Sequence, residues 1–156
     1  MGGTKTDLAI LSRATGPRRP FAQRRYDSAA YNGLADVACS FLDDVGMKVG
    51  AVCFAVAGPV MNGAAELTNL RWRIDEASLA AALEVERAWL LNYLVATASA
   101  IPLLRPDELH SIKEGEALRG GVLAVIAPGR KAGRANLSCS QRAPGGCRSG
   151  LSAGQP

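Results

Sequence analysis

Val49-Gly50-Ala51-Val52-Cys53-Phe54-Ala55-Val56-Ala57 is a continuous apolar run closed by Gly58-Pro59. It is short for a buried helix and carries β-branched and aromatic residues, so it reads as a buried strand, central and covered on both faces. Upstream, Leu34, Val37, Ala38, Phe41, Leu42 and Val45 recur at helical spacing from Tyr31 onward, and Gly46 follows as a stop. Downstream, Asp75 offers an N-cap for a helix through about Leu83, and residues 88–92 read as a second buried strand. A further helix is expected over residues 95–100, stopped by Pro102. Strand–helix alternation of this kind implies an α/β layered fold. Nearer the ends, residues 6–11 and 21–26 predict a hairpin turning through Gly16-Pro17, and residues 122–127, closed by Pro128-Gly129, predict another buried strand. No internal repeat is present.

The bulk properties bound the function classes. At 156 residues, 48% apolar and 21% charged, the chain can bury one core but is short for two full domains, and it lies far from the composition of disordered proteins. No run approaches the ~20 apolar residues of a membrane span, and Met1 is followed by Gly2-Gly3-Thr4-Lys5 instead of a leader pattern, so the expected location is cytoplasmic with no membrane partner. The net charge of +4 is uneven. Residues 130–156 hold Arg130, Lys131, Arg134, Arg142 and Arg148 and no acid; removing these five from the 18 bases leaves 13 against 14 acids, about −1 for residues 1–129. Five dispersed cations without interleaved aromatics make a weak nucleic-acid footprint, so no nucleic-acid partner is expected. Cys39 and Cys53 sit in apolar stretches and read as buried reduced thiols. Cys139 and Cys147 lie in the Gly/Ser/Arg-rich tail, and no Cys/His spacing of a metal site occurs. After Gly129 no periodicity can be traced, and residues 130–156 are expected to be a disordered basic tail.

Gly2-Gly3-Thr4-Lys5-Thr6-Asp7 resembles the first phosphate-binding segment of sugar kinases of the actin, Hsp70 and hexokinase superfamily. Glycines there let backbone N–H groups approach phosphate oxygens, and a threonine hydroxyl adds a donor. The segments Phe54-Ala55-Val56-Ala57-Gly58-Pro59-Val60, Leu67-Thr68-Asn69-Leu70-Arg71-Trp72, Leu90-Leu91-Asn92 and Ala100-Ile101-Pro102-Leu103-Leu104 resemble the bacterial glucokinase family in order and spacing. The resemblance covers residues 1–129. It implies a ribonuclease-H-like N-terminal domain of the actin/hexokinase ATPase type, and transfer of the γ-phosphate of ATP to the 6-hydroxyl of glucose with Mg²⁺ bridging the phosphates. Such a reaction asks the protein for positioning, charge stabilisation and a base.

By that resemblance Gly2, Gly3 and Thr4 are phosphate-binding, while Asn92 and, less specifically, Asn69 are sugar-binding. An amide that donates and accepts suits a vicinal hydroxyl pair, although an asparagine before a helix also serves as a cap. Tyr93 occupies the position of the family's catalytic aspartate. A phenol titrates near pH ~10, so it is protonated where a carboxylate would accept a proton, and losing a general base costs ~10²–10⁴ in rate. Two further departures concern the termini. The family's first strand and its metal-holding acid, in the pattern D-x-G-G-T, are missing before Gly2, which implies an incomplete domain with an unpaired sheet edge. Its second phosphate segment, G-T-G-L-G, is replaced by Gly129-Arg130-Lys131-Ala132-Gly133, and the composition change there is that of a shifted reading frame, a reading that nucleotide sequence across codons 127–135 checks. By the resemblance, residues 1–156 are not expected to include the larger domain that carries the family's dimer contacts, so a family-type homodimer is not expected. The expected function is therefore glucokinase-like with the catalytic step lost. The competing readings are a non-catalytic sugar-binding or regulatory module and a non-functional truncated fragment.

Overall fold

The computed structural model describes residues 4–113, 115, 122–127 and 133–138, which fall into two units, Met1–Tyr93 and Leu94–Pro156. In the first unit, β1 (Lys5–Ile10) and β2 (Ala22–Asp27) form the expected antiparallel hairpin, in register from Lys5 opposite Asp27 to Ile10 opposite Ala22. Alternation along β1 buries Thr6, Leu8 and Ile10, and the Thr6 and Ser28 hydroxyls, both buried, satisfy each other at 2.9 Å. Helix α1 (Leu34–Val45) buries Leu34, Val37, Ala38 and Phe41 and ends at Gly46. There φ is +66°, and the Gly46 N–H reaches the carbonyls of Leu42 and Asp43. Tyr26 clips β2 to α1: its ring meets Tyr31 and Phe41 edge-on, and its hydroxyl donates to Asp44 Oδ2 at 2.8 Å.

The deciding run forms β3 (Ala51–Val56), which pairs in parallel with β7 (Arg87–Asn92), Ala51 opposite Arg87 and Val56 opposite Asn92. A parallel pair needs a long crossover. Here it consists of β4 (Val60–Met61), β5 (Ala64–Leu67) and β6 (Trp72–Asp75), an antiparallel meander, followed by α2 (Glu76–Ala82). The meander was not foreseen. Its β4–β5 turn has Asn62 at φ +51° and Gly63 at φ +72°, the two left-handed residues of a tight hairpin. Helix α2 begins as expected, with the Asp75 carboxylate accepting the Ser78 N–H at 2.8 Å. Leu8, Phe41, Phe54, Val56, Trp72, Ile74 and Leu90 belong to one core with both helices.

Helix α3 (Tyr93–Ala100), whose first residue ends the first unit, starts two residues before the expected helix and runs into a 3-10 turn, Ile101–Leu103, at Pro102. Leu94, Ala98 and Val125 are buried together, with Ile101 against them. Strand β8 (Val122–Ala127) pairs antiparallel with β9 (Gly133–Ser138).

Three expectations are corrected. β3 is not covered on both faces: Ala51 and Cys53 are exposed, as is Trp89 opposite Cys53 on β7 (43%), because the helices and meander pack on the Phe54, Val56 and Leu90 side. Cys53 is accordingly an exposed thiol, and Cys39 is half-buried. The tail is not structureless over Gly133–Ser138, where β9 satisfies the backbone edge of β8. The rest of the tail, with Cys139 and Cys147, lies outside the described residues, as do Gly2 and Gly3.

Candidate functional site

Because β3 and β7 run parallel and in register, their carboxyl ends open side by side, Ala57-Gly58 following one and Tyr93 the other. Ligands of open α/β sheets collect at such strand ends. The Asn92 side chain is fixed there: its Nδ2 donates to the Gly58 carbonyl at 2.7 Å, tying the two strand ends together. That contact also settles which way the amide faces, with nitrogen toward Gly58.

Gly58 also links a third element. A Cβ at this position would lie 3.4 Å from the Glu66 carbonyl and from Leu67 Cδ2, so the backbone closely approaches the end of β5. The turn leaving β5 has the Leu70 N–H on the Leu67 carbonyl at 3.1 Å, Asn69 exposed, and Arg71 at φ +55°. Gly58 thus stands between Asn92 and the turn that carries Asn69. Tyr93 follows Asn92 directly as the first residue of α3, with its ring 41% exposed. Thr4 belongs to a different element, before β1, where its carbonyl accepts the Ser28 N–H at 3.0 Å.

Sequence reading missed one residue that holds this arrangement. Glu76, half-buried, accepts the Leu90 N–H on Oε1 at 2.8 Å, two residues before Asn92, while its own N–H donates to the Gly63 carbonyl at 2.9 Å. A Cβ on Gly63 would meet Glu76 Oε2 at 2.8 Å. One residue therefore joins the β4–β5 turn through its backbone and β7 through its carboxylate, at the start of α2. The signals were Asn62-Gly63, a strong hairpin dipeptide, and an acid in the first turn of a helix.

The donors present at the amino end do not make a magnesium site. Asp7, the acid next in sequence to the Gly2-Gly3-Thr4 segment, is held by Arg25: both carboxylate oxygens accept from the guanidinium, and this pairing keeps Asp7 below the usual carboxylate range. Among the described residues no cluster of His, Cys, Asp and Glu is arranged to hold a metal, and no helix is long and apolar enough to cross a membrane.

A crossover-linked parallel pair, with the Asn92 amide at the carboxyl end of one strand, defines an α/β domain. A family model described as Glucokinase matches residues 1–145, past the Gly129 at which the motif resemblance ends. A glucokinase of Caulobacter vibrioides is 33% identical over 138 residues, covering 88% of this chain and 42% of that protein. One of Saccharophagus degradans is 30% identical over 142 residues, covering 90% and 44%. Among solved structures, a glucokinase from an Antarctic psychrotroph superposes with a TM-score of 0.83 at 27% identity, over 99% of this chain and 48% of that one. The chain belongs to the glucokinase family. It spans less than half the length of these relatives.

Proposed function

We propose that this chain is a glucokinase-type N-terminal domain, ribonuclease-H-like as in the actin and hexokinase ATPases, that keeps a sugar contact and has lost phosphoryl transfer. The observation that carries this reading is the pair Asn92-Tyr93 at the carboxyl end of β7: the amide is positioned by Gly58, and the neighbouring position, where the family places a carboxylate, holds an exposed phenol. In the family's reaction the carboxylate takes the proton of the 6-hydroxyl as that oxygen attacks the γ-phosphorus and ADP leaves. Tyr93 offers a hydroxyl there in place of a carboxylate, so the 6-hydroxyl meets no carboxylate base at that position. Glucose, ATP and Mg²⁺ are the ligands of the family's reaction. Gly2, Gly3 and Thr4 belong to its phosphate segment, and no step here is routed through the ion. A cytoplasmic location, and the absence of membrane and nucleic-acid partners, belong to the same reading.

ADP release by the 156-residue chain with glucose and Mg²⁺-ATP tests it. The expected result is none above a glucose-free control; turnover that Asn92→Ala abolishes would overturn it. The second reading, a sugar-binding module without catalysis, is favoured by the fixed Asn92 amide, which arrives at the sugar already oriented. Calorimetry with glucose distinguishes it: binding heat lost in Asn92→Ala supports the module, and no heat at millimolar sugar leaves a fragment that does neither.

A further inference from the structure

Some segments of the first unit carry charge of one sign only. The connection between β1 and β2, residues 11–21, holds Arg13, Arg18 and Arg19 and no acid. All three are exposed, and Leu11 (51%) and Phe21 (61%) stand exposed at its base, where the Phe21 N–H on the Ile10 carbonyl closes the loop. The helical layer is the reverse. Residues 34–47 hold Asp36, Asp43 and Asp44, and residues 76–86 hold Glu76, Glu84 and Glu86; exposed Lys48 and Arg87 follow directly, and Asp44 and Glu76 are already bonded to Tyr26 and Leu90, which leaves Asp36, Asp43 and Glu84 to define the acidic face. Asp36 and Asp43 lie two turns apart on one face of α1, both exposed, and both act on the half-buried Cys39 thiol between them, whose upward shift is due first to burial and then to these carboxylates. The Cys39 thiol faces the Ala82 carbonyl at 3.7 Å, so the end of α2, followed by exposed Glu84, adjoins this face.

We propose that the Arg13–Arg19 loop of one copy docks on the acidic α1–α2 face of a second copy, giving a head-to-tail association of this chain. The occupant is fixed by charge complementarity: the chain itself carries both an arginine loop without acids and an acidic face defined by Asp36, Asp43 and Glu84. Because the two patches differ, the contact is heterologous and adds copies in a row instead of closing a twofold pair. Exposed ion pairs are individually weak and screened by salt, so the association is shallow and salt-sensitive, with Leu11 and Phe21 adding apolar contact at the base of the loop.

Sedimentation velocity on the full chain tests this at ~20 mM and ~500 mM salt. The expected result is a sedimentation coefficient that rises with protein concentration at low salt and stays at the monomer value at high salt. R13E/R19E and D36K/D43K, all at exposed positions, are each expected to be monomeric at low salt, with unchanged circular dichroism. Mixing the two reversed chains restores complementarity in both directions and is expected to restore the larger species. A wild-type monomer at both salts, an association indifferent to salt or to the reversals, or a mixture that stays monomeric would each overturn the proposal.

Discussion

At the residue scale, the proposed function rests on two adjacent side chains. Asn92 is committed to the Gly58 carbonyl, whereas Tyr93 is 41% exposed beside it. A base cannot simply be moved one position back. Asn92→Asp would set a carboxylate oxygen against the Gly58 carbonyl in place of a donor, and its expected cost is about 1–3 kcal/mol in urea unfolding, with no gain in ADP release. Tyr93→Asp introduces a carboxylate; on the proposed reading, in which Arg130-Lys131-Ala132 departs from the family's second phosphate segment, the expected outcome in the 156-residue chain is no turnover. Tyr26 gives a pH signature. Burial first, and then its hydrogen bond to Asp44, push it up to about 12. The folded state favours the neutral phenol, so the contribution is complete below the ordinary tyrosine value near pH ~10 and is lost as pH rises toward about 12. A melting series across this alkaline range should fall more steeply for the native chain than for Tyr26→Phe.

At the element scale, Glu76 makes a coupled prediction. Gly63→Ala carries the strain of a left-handed residue, ~1 kcal/mol, and in addition pushes a methyl group into Glu76 Oε2, which disturbs the bond to Leu90. Once Glu76→Ala has removed that carboxylate, Gly63→Ala should cost only the backbone strain. A double-mutant cycle in urea is therefore expected to be non-additive, and additive costs would show that the carboxylate does not join the two elements. The elements also show what the sequence made legible. The helical period exposed α1 because it buries one continuous stripe, short apolar runs marked β7 and β8, and Asp75 marked α2 because its cap is local. The β4–β6 meander was passed over because its strands span two to four residues, too short for alternation, although Asn62-Gly63 encoded the turn. Strand β9 was hidden by its composition: Gly133-Arg134-Ala135-Asn136-Leu137-Ser138 pairs through backbone groups, which any residue but proline supplies. At the candidate site, the family resemblance singled out Asn92, Asn69 and Tyr93, whereas the Gly58 and Glu76 contacts join residues 34 and 14 apart, too far for periodicity to pair them.

At the scale of the whole molecule, the chain has the family's fold over less than half the family's length, and its first unit is packed on one side only of the β3–β7 pair. A parallel pair is ordinarily covered on both sides. Here Cys53 and Trp89 remain on the open side. The two tryptophans of the sequence consequently report on opposite sides of the pair: Trp72 is 5% exposed in the core and Trp89 is 43% exposed. Iodide should quench the red-shifted part of the emission and spare the blue, and Trp89→Phe should remove the quenchable part alone. Uniform quenching would place Trp72 within reach of solvent as well. The open face thus gives the protein an intrinsic optical gauge, in which a blue shift confined to the Trp89 component would register, without any label, whatever comes to cover β3 and β7.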